Sequence, residues 1–183
     1  MTPTCTRGCR PRPHAEPLRR GIDQFVPKPY ALTFASELDA PVASVWDVVG
    51  TMAGVNEELA PWLRMTAPLE VAGMRIDEAP VGQPLFTSWV LFGGVLPVDR
   101  HYFKLAEVER GRGFVEQSTS WTERRWEHRR HVELCGEHGC TVTDRLTFTP
   151  RVSVSGPLLS RVVGAVFGHR HEVLRARFGG RAT

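Results

Sequence analysis

From Tyr30 to Leu38 apolar and polar residues alternate, with Tyr30, Leu32 and Phe34 against Thr33, Ala35 and Glu37. A period of two predicts a strand with one apolar face. Asp39-Ala40-Pro41 ends it, and the period changes. Val42, Val45, Trp46 and Val49 recur at spacings of three and four, so a short helix follows, with Pro41 suited to its first turn. Gly50 stops that helix, and Thr51 is placed to cap a second one through Val55 and Leu59. Pro61 requires that this second helix has ended.

After Trp62 the period returns to two. Short strands are predicted near 63–68, 71–78 and 85–92, punctuated by Gly73, Gly82 and Gly93-Gly94. Clearer strands follow over Val98–Val108, Phe114–Trp121, Trp126–Leu134 and Thr141–Thr149. Their turns are too short for parallel crossovers, so these four form an antiparallel meander. Val108 to Phe114 and Leu134 to Thr141 are predicted hairpins. From Leu158 to Phe178 the apolar spacing is again three and four, which marks one long amphipathic helix. Pro157 fits its first turn, Gly179-Gly180 ends it, and Gly164 and Gly168 interrupt it.

The predicted class is α+β: a curved antiparallel sheet of about seven strands around a long C-terminal helix, with two short helices after the first strand. One helix cannot fill a broad concave face. The uncovered part is either packed with large side chains or encloses a cavity, and the pattern alone leaves both open.

Charge divides the chain. Residues 1–28 hold six basic and two acidic residues, a net +4, whereas 29–183 hold 17 basic and 18 acidic, a net −1. The pI of about 8.9 therefore belongs to the leader. That leader is rich in Pro and Arg and too poor in apolar residues to offset its ordering entropy. The expected organisation is a disordered leader over 1–27, a ligand-binding domain over 28–179 and a tail over 180–183. No continuous apolar stretch reads as a secretory signal or a membrane span, and the expected location is cytoplasmic. Cys5, Cys9 and His14 lack a standard zinc spacing and a fourth ligand, so no metal is predicted; Cys135 and Cys140 read as reduced thiols.

Several segments carry a family resemblance over roughly 30–179. They are Asp39-Ala40-Pro41-Val42-Ala43-Ser44-Val45-Trp46 after the first strand, Trp126-Glu127-His128-Arg129 through Val132, and Thr143-Asp144-Arg145-Leu146-Thr147-Phe148. Phe167-Gly168-His169-Arg170-His171 in the last helix is the fourth. In this order they resemble the START/Bet v 1-like superfamily, the SRPBCC group of polyketide cyclases/dehydrases and lipid-transport proteins. The resemblance implies a helix-grip fold, a sheet wrapped around the C-terminal helix with a deep apolar cavity between them. It also implies a hydrophobic ligand such as a lipid, sterol or polyketide. Some members are cyclases or dehydratases and many have no demonstrated reaction, so fold membership does not decide enzyme status.

The richest chemistry lies between Trp121 and His131. In a strand starting at Trp126, one face carries Trp126, His128, Arg130 and Val132, and the other Glu127, Arg129, His131 and Glu133. The second set reads as solvated. The first mixes residues that want burial with residues that want partners, as a pocket wall would. His128 can bond a ligand oxygen or act as acid/base, with Arg130 and Asp144 orienting it. The plainer reading ties His128 to a carboxylate such as Asp144 and outweighs the catalytic one. Trp89, Phe103, Trp121, Trp126, His128 and Phe167 are the expected ligand contacts, although an aromatic near the sheet is more often core. His169 and His171, two apart on a helix, do not share a face and with Arg170 are expected around the exposed side. No hydrolase, nucleotide or metalloprotease motif is present, and no cofactor is implied.

The leading functional expectation is binding or carriage of a small hydrophobic molecule. The second is a polyketide cyclase/dehydratase-like enzyme that uses His128. The third is an interaction mediated by the basic leader; the absence of interleaved aromatic residues there argues against nucleic acid.

Overall fold

A computed structural model describes residues 27–183, so the leader and its Cys5, Cys9 and His14 lie outside the described residues. In chain order the elements are β1 (Tyr30–Leu38), α1 (Val42–Val49), α2 (Met52–Leu59), β2 (Leu63–Met65), α3 (Leu69–Ala72) and β3 (Pro84–Phe92). Then come β4 (Leu96–Glu109), β5 (Gly113–Ser120), β6 (Glu123–Cys135), β7 (Gly139–Pro150), α4 (Gly156–Phe178) and β8 (Arg181–Ala182). Among the described residues the sheet is antiparallel and runs in the order β2-β3-β4-β5-β6-β7-β1-β8.

Two expectations need correction. The sheet is not a curved one of about seven strands. It has eight strands and stays open, because β2 and β8 are its two edges and do not pair with each other. The eighth strand comes from residues beyond Gly179-Gly180, where Arg181 and Ala182 pair with Glu37 and Ser36. The strand expected near 71–78 is instead α3 followed by a 3-10 turn over Ile76–Glu78. Its apolar residues are too few and too broken by Gly73 to hold a ladder.

The remaining boundaries follow the sequence pattern closely. Thr51 caps α2 by accepting from the Gly54 amide at 3.0 Å. Val45, Trp46 and Val49 form the buried stripe of α1. They pack with Leu38, Val132, Cys140, Val142 and Leu174 into one apolar cluster. A second cluster joins Leu146 and Phe148 of β7 to Val163 and Phe167 of α4. Each such side chain contributes about 1.5–3 kcal/mol by leaving water. Asp144, fully buried, sits on β7 between Val142 of the first cluster and Leu146 of the second. A charged layer therefore crosses the interior where a continuous core would be expected.

Candidate active site

An apolar cavity of about 360 Å³ lies between the sheet, α4 and the segment from α1 to α3. That volume is within the range of small-molecule pockets. Alternation along the strands decides what faces it. Asp99, His101, Phe103 and Leu105 of β4, Phe114 and Glu116 of β5, and Trp126 and His128 of β6 point inward. Val163 and Phe167 of α4 close the other side.

One buried network starts in this wall and runs into the core. The His101 Nε2 lies 2.5 Å from Glu116 Oε1, and the other Glu116 oxygen is 3.7 Å from His128 Nδ1. His128 Nε2 is 2.9 Å from Asp144 Oδ1. Arg130 donates to both Asp144 oxygens, from Nε at 2.7 Å and Nη2 at 2.6 Å. It also donates to both Glu58 oxygens, at 2.7 and 2.9 Å. Arg170 donates its Nε to Glu58 at 2.8 Å. His171 bridges Asp144 Oδ2, at 3.2 Å, and Ser36 Oγ, at 2.9 Å. The network thus ties β1, α2, β4, β5, β6, β7 and α4 together.

Its electrostatics are set by competition between burial and pairing. For Asp144 and Glu58 burial works to raise the pKa, but Arg130 outweighs it, and both carboxyls are held below their ordinary range. Burial works to lower the Arg130 pKa, and the two carboxylates reverse this and raise it well above normal. Burial likewise opposes the charged form of His101, yet Glu116 prevails and raises its pKa. Glu116 is correspondingly lowered, against its own burial, by His101 and His128. Three buried carboxylates, Glu58, Glu116 and Asp144, face two guanidiniums, Arg130 and Arg170. His101, His128 and His171 are the buried histidines that border these carboxylates.

Phe103, Trp126, His128 and Phe167, expected as ligand contacts, all line the cavity. His128 is bonded to Asp144 at Nε2, faces Glu116 from Nδ1, and is flanked edge-on by Phe114 and Phe167, each at 5.1 Å between centroids. Arg130 and Asp144 sit behind the wall, fully buried. Trp89 and Trp121 lie on the opposite face of the sheet. Trp89 pairs with Arg100, the outward neighbour of inward His101, and the two indoles meet edge to face at 5.0 Å. The Arg100 guanidinium stands over Trp89 at 5.2 Å. Arg170 and His171, expected around the exposed side of α4, are only 6% and 2% exposed. Their charges are satisfied by Glu58 and Asp144, which is why burial is tolerated. The outward face of β6 is as expected, with Arg129 facing Glu107 at 3.8 Å and His131 facing Glu109 at 3.6 Å.

Sequence reasoning missed His101, Glu116, Glu123 and Glu58. The signal for the first two was present: His101 shares a strand face with Phe103 and Leu105, and Glu116 one with Phe114. Polar groups on an apolar face mark either a wall or a defect.

This architecture is a helix-grip fold, like that of START/SRPBCC-like proteins. It is similar to the aromatase/cyclase ZhuI from Streptomyces sp. R1128, with a TM-score of 0.62 and 9% identity over 82% of this chain and 93% of that one. It is also similar to a START superfamily protein from Mycobacterium smegmatis, with a TM-score of 0.58 and 12% identity over 81% and 96%. Protein CV1439 from Chromobacterium violaceum gives a TM-score of 0.59 and 11% identity over 81% and 97%. At such identities the likeness concerns the fold alone. No curated protein sequence matches this chain. Residues 36–178 match the family model described as a domain of unknown function, DUF8410, and the chain belongs to that family.

Proposed function

We propose that this protein carries out proton-transfer chemistry, of the dehydrating or cyclising kind, on a small hydrophobic carbonyl compound held in the cavity. The observation that carries this reading is the His101–Glu116 pair in an otherwise apolar wall. Glu116 fixes one ring nitrogen of His101. The other, Nδ1, has no hydrogen-bond partner among the described residues. A positioned, charged imidazolium beside bound substrate is a proton donor. His101 takes the acid/base role in place of His128, because both nitrogens of His128 face carboxylates. His128, Arg130 and Asp144 then act as positioning residues that hold Glu116 in place. Phe103, Trp126 and Phe167 supply the apolar contacts.

In a dehydration, His101 would protonate a β-hydroxyl as the C–O bond breaks, and water would leave. The aldol adduct of benzaldehyde and acetone is a suitable probe, since its loss of water gives a conjugated, absorbing enone. Wild type should accelerate this reaction over buffer. His101→Gln and Glu116→Gln should each lose about 10²-fold or more of that rate, a typical share for a general acid. A wild-type rate equal to buffer, with the adduct shown to bind, would favour the carrier reading instead. The largely apolar lining supports carriage as the second reading.

A further inference from the structure

Glu123 differs from every other buried carboxyl among the described residues. Glu58, Glu116 and Asp144 each bond an arginine or a histidine. Glu123 is only 4% exposed, lines the cavity and has no cation within ion-pair distance. Its Oε2 accepts from the Ser120 hydroxyl and from Thr122 Oγ1, the latter at 2.8 Å. Its Oε1 has no protein partner among the described residues and is not sealed from the cavity.

The backbone is distorted to place it there. Trp126, His128 and Arg130 turn inward on even positions, so regular alternation would send Glu123 outward. The β6–β7 register shifts between Glu123 and Arg125, and this bulge reverses the side chain. A buried carboxyl without a cation costs stability, and its hydrogen bonds to Ser120 and Thr122 in the β5–β6 turn offset that cost at one oxygen only. Glu123 also sits beside His101. Ser120, which holds it, is the cross-strand partner of His101.

From this geometry we infer that Glu123 is a second proton-transfer group of the cavity, the base that removes a carbon-bound proton from the substrate while His101 serves as acid. The inference rests on the proposed function for its pairing with His101. In a dehydration the C–H bond next to the carbonyl breaks and its proton goes to Glu123. The electron pair forms the C=C bond, the C–O bond breaks, and the hydroxyl leaves as water with the His101 proton. Transfer of a proton from Glu123 back to His101 restores both groups, and no oxidant or co-reactant is consumed. The substrate class is a carbonyl compound with an adjacent C–H and a β-hydroxyl.

The surroundings suit a base. Burial raises the Glu123 pKa, Ser120 and Thr122 oppose the rise, Asp99 adds to it, and His101 opposes it without reversing it. The other charged groups near it are accounted for. Asp99 accepts from two backbone amides, its second oxygen lies 2.9 Å from Thr122 Oγ1, and Arg151 donates to the Ser120 carbonyl. In the lining, Arg75 is tied to Asp47 and Arg170 to Glu58.

Nitrobenzisoxazole tests the base without needing the acid. Loss of its ring proton breaks the N–O bond and releases a coloured cyanophenolate that leaves unprotonated. Wild type should cleave it faster than buffer, with the rate rising through an ionisation above the ordinary carboxylate value. Glu123→Gln should lose about 10²-fold or more and that ionisation with it. Glu123→Ala should regain rate with added formate, and thermal melting should show both variants folded. If the rate and its pH dependence survive in a folded Glu123→Gln, the inference is overturned. Failure of the aldol-adduct reaction with this result intact would instead remove the proposed function and leave Glu123 as a base.

Discussion

Asp144 is the residue on which most of the buried charge depends. It accepts from Arg130 twice and from His128, both on β6, and from His171 on α4. Removing one member of a buried ion pair strands the other, which costs about 3–5 kcal/mol. Asp144→Asn should therefore lower unfolding stability by about that amount in a denaturant titration. A loss below about 1 kcal/mol would show that Arg130 is adequately held by Glu58 alone. The sequence made this residue legible in part. A carboxyl on the same face as Val142, Leu146 and Phe148 must find a donor, and His128 and Arg130 were the expected ones. The third partner, His171, was not legible, because helix spacing alone placed it outward. Glu123 was concealed for a different reason, since a one-residue bulge reverses facing and leaves no mark in the alternation. Trp89 and Trp121 show the same sensitivity. Aromatic character drew them toward the cavity, but the strand register assigns them to the other face.

At the scale of elements, the long helix and the meander follow directly from periodicity, and the short pieces between Trp62 and Pro84 do not. Three-residue β2 and four-residue α3 are too short to show a period, and their form is set by what they cover. The glycines of the helical elements separate into two kinds. A β-carbon at Gly54 would come within 1.9 Å of the Val48 carbonyl, so α1 and α2 meet only because a side chain is missing there. A β-carbon at Gly168, inside α4, would meet nothing within 4 Å. Gly168→Ala should therefore raise stability by about 0.5–1 kcal/mol, through helix propensity and a less flexible unfolded chain. Gly54→Ala should lower it. Thermal melts of the two single variants check the pair, and a destabilised Gly168→Ala would mean that α4 needs slack at that point.

Taken as a whole, the molecule has two apolar clusters separated by a charged layer, with a cavity at one end of that layer. No described helix is long and apolar enough to cross a membrane. Pairing with Glu116 favours a proton on His101, and that proton is also what the proposed chemistry needs. The sign of the pH effect follows. A histidine raised in the folded state stabilises fully below its unfolded pKa, near 6.5, and this contribution is lost as pH rises through the higher folded value. The measurement that bears most directly on the account is an NMR titration of the His101 ring, with the cavity empty and then filled by the aldol adduct. The ring should titrate above 6.5 in wild type and lower in Glu116→Gln, and its signals should shift clearly when the adduct binds. A His101 that titrates below 6.5, or whose signals ignore the adduct, would contradict the account.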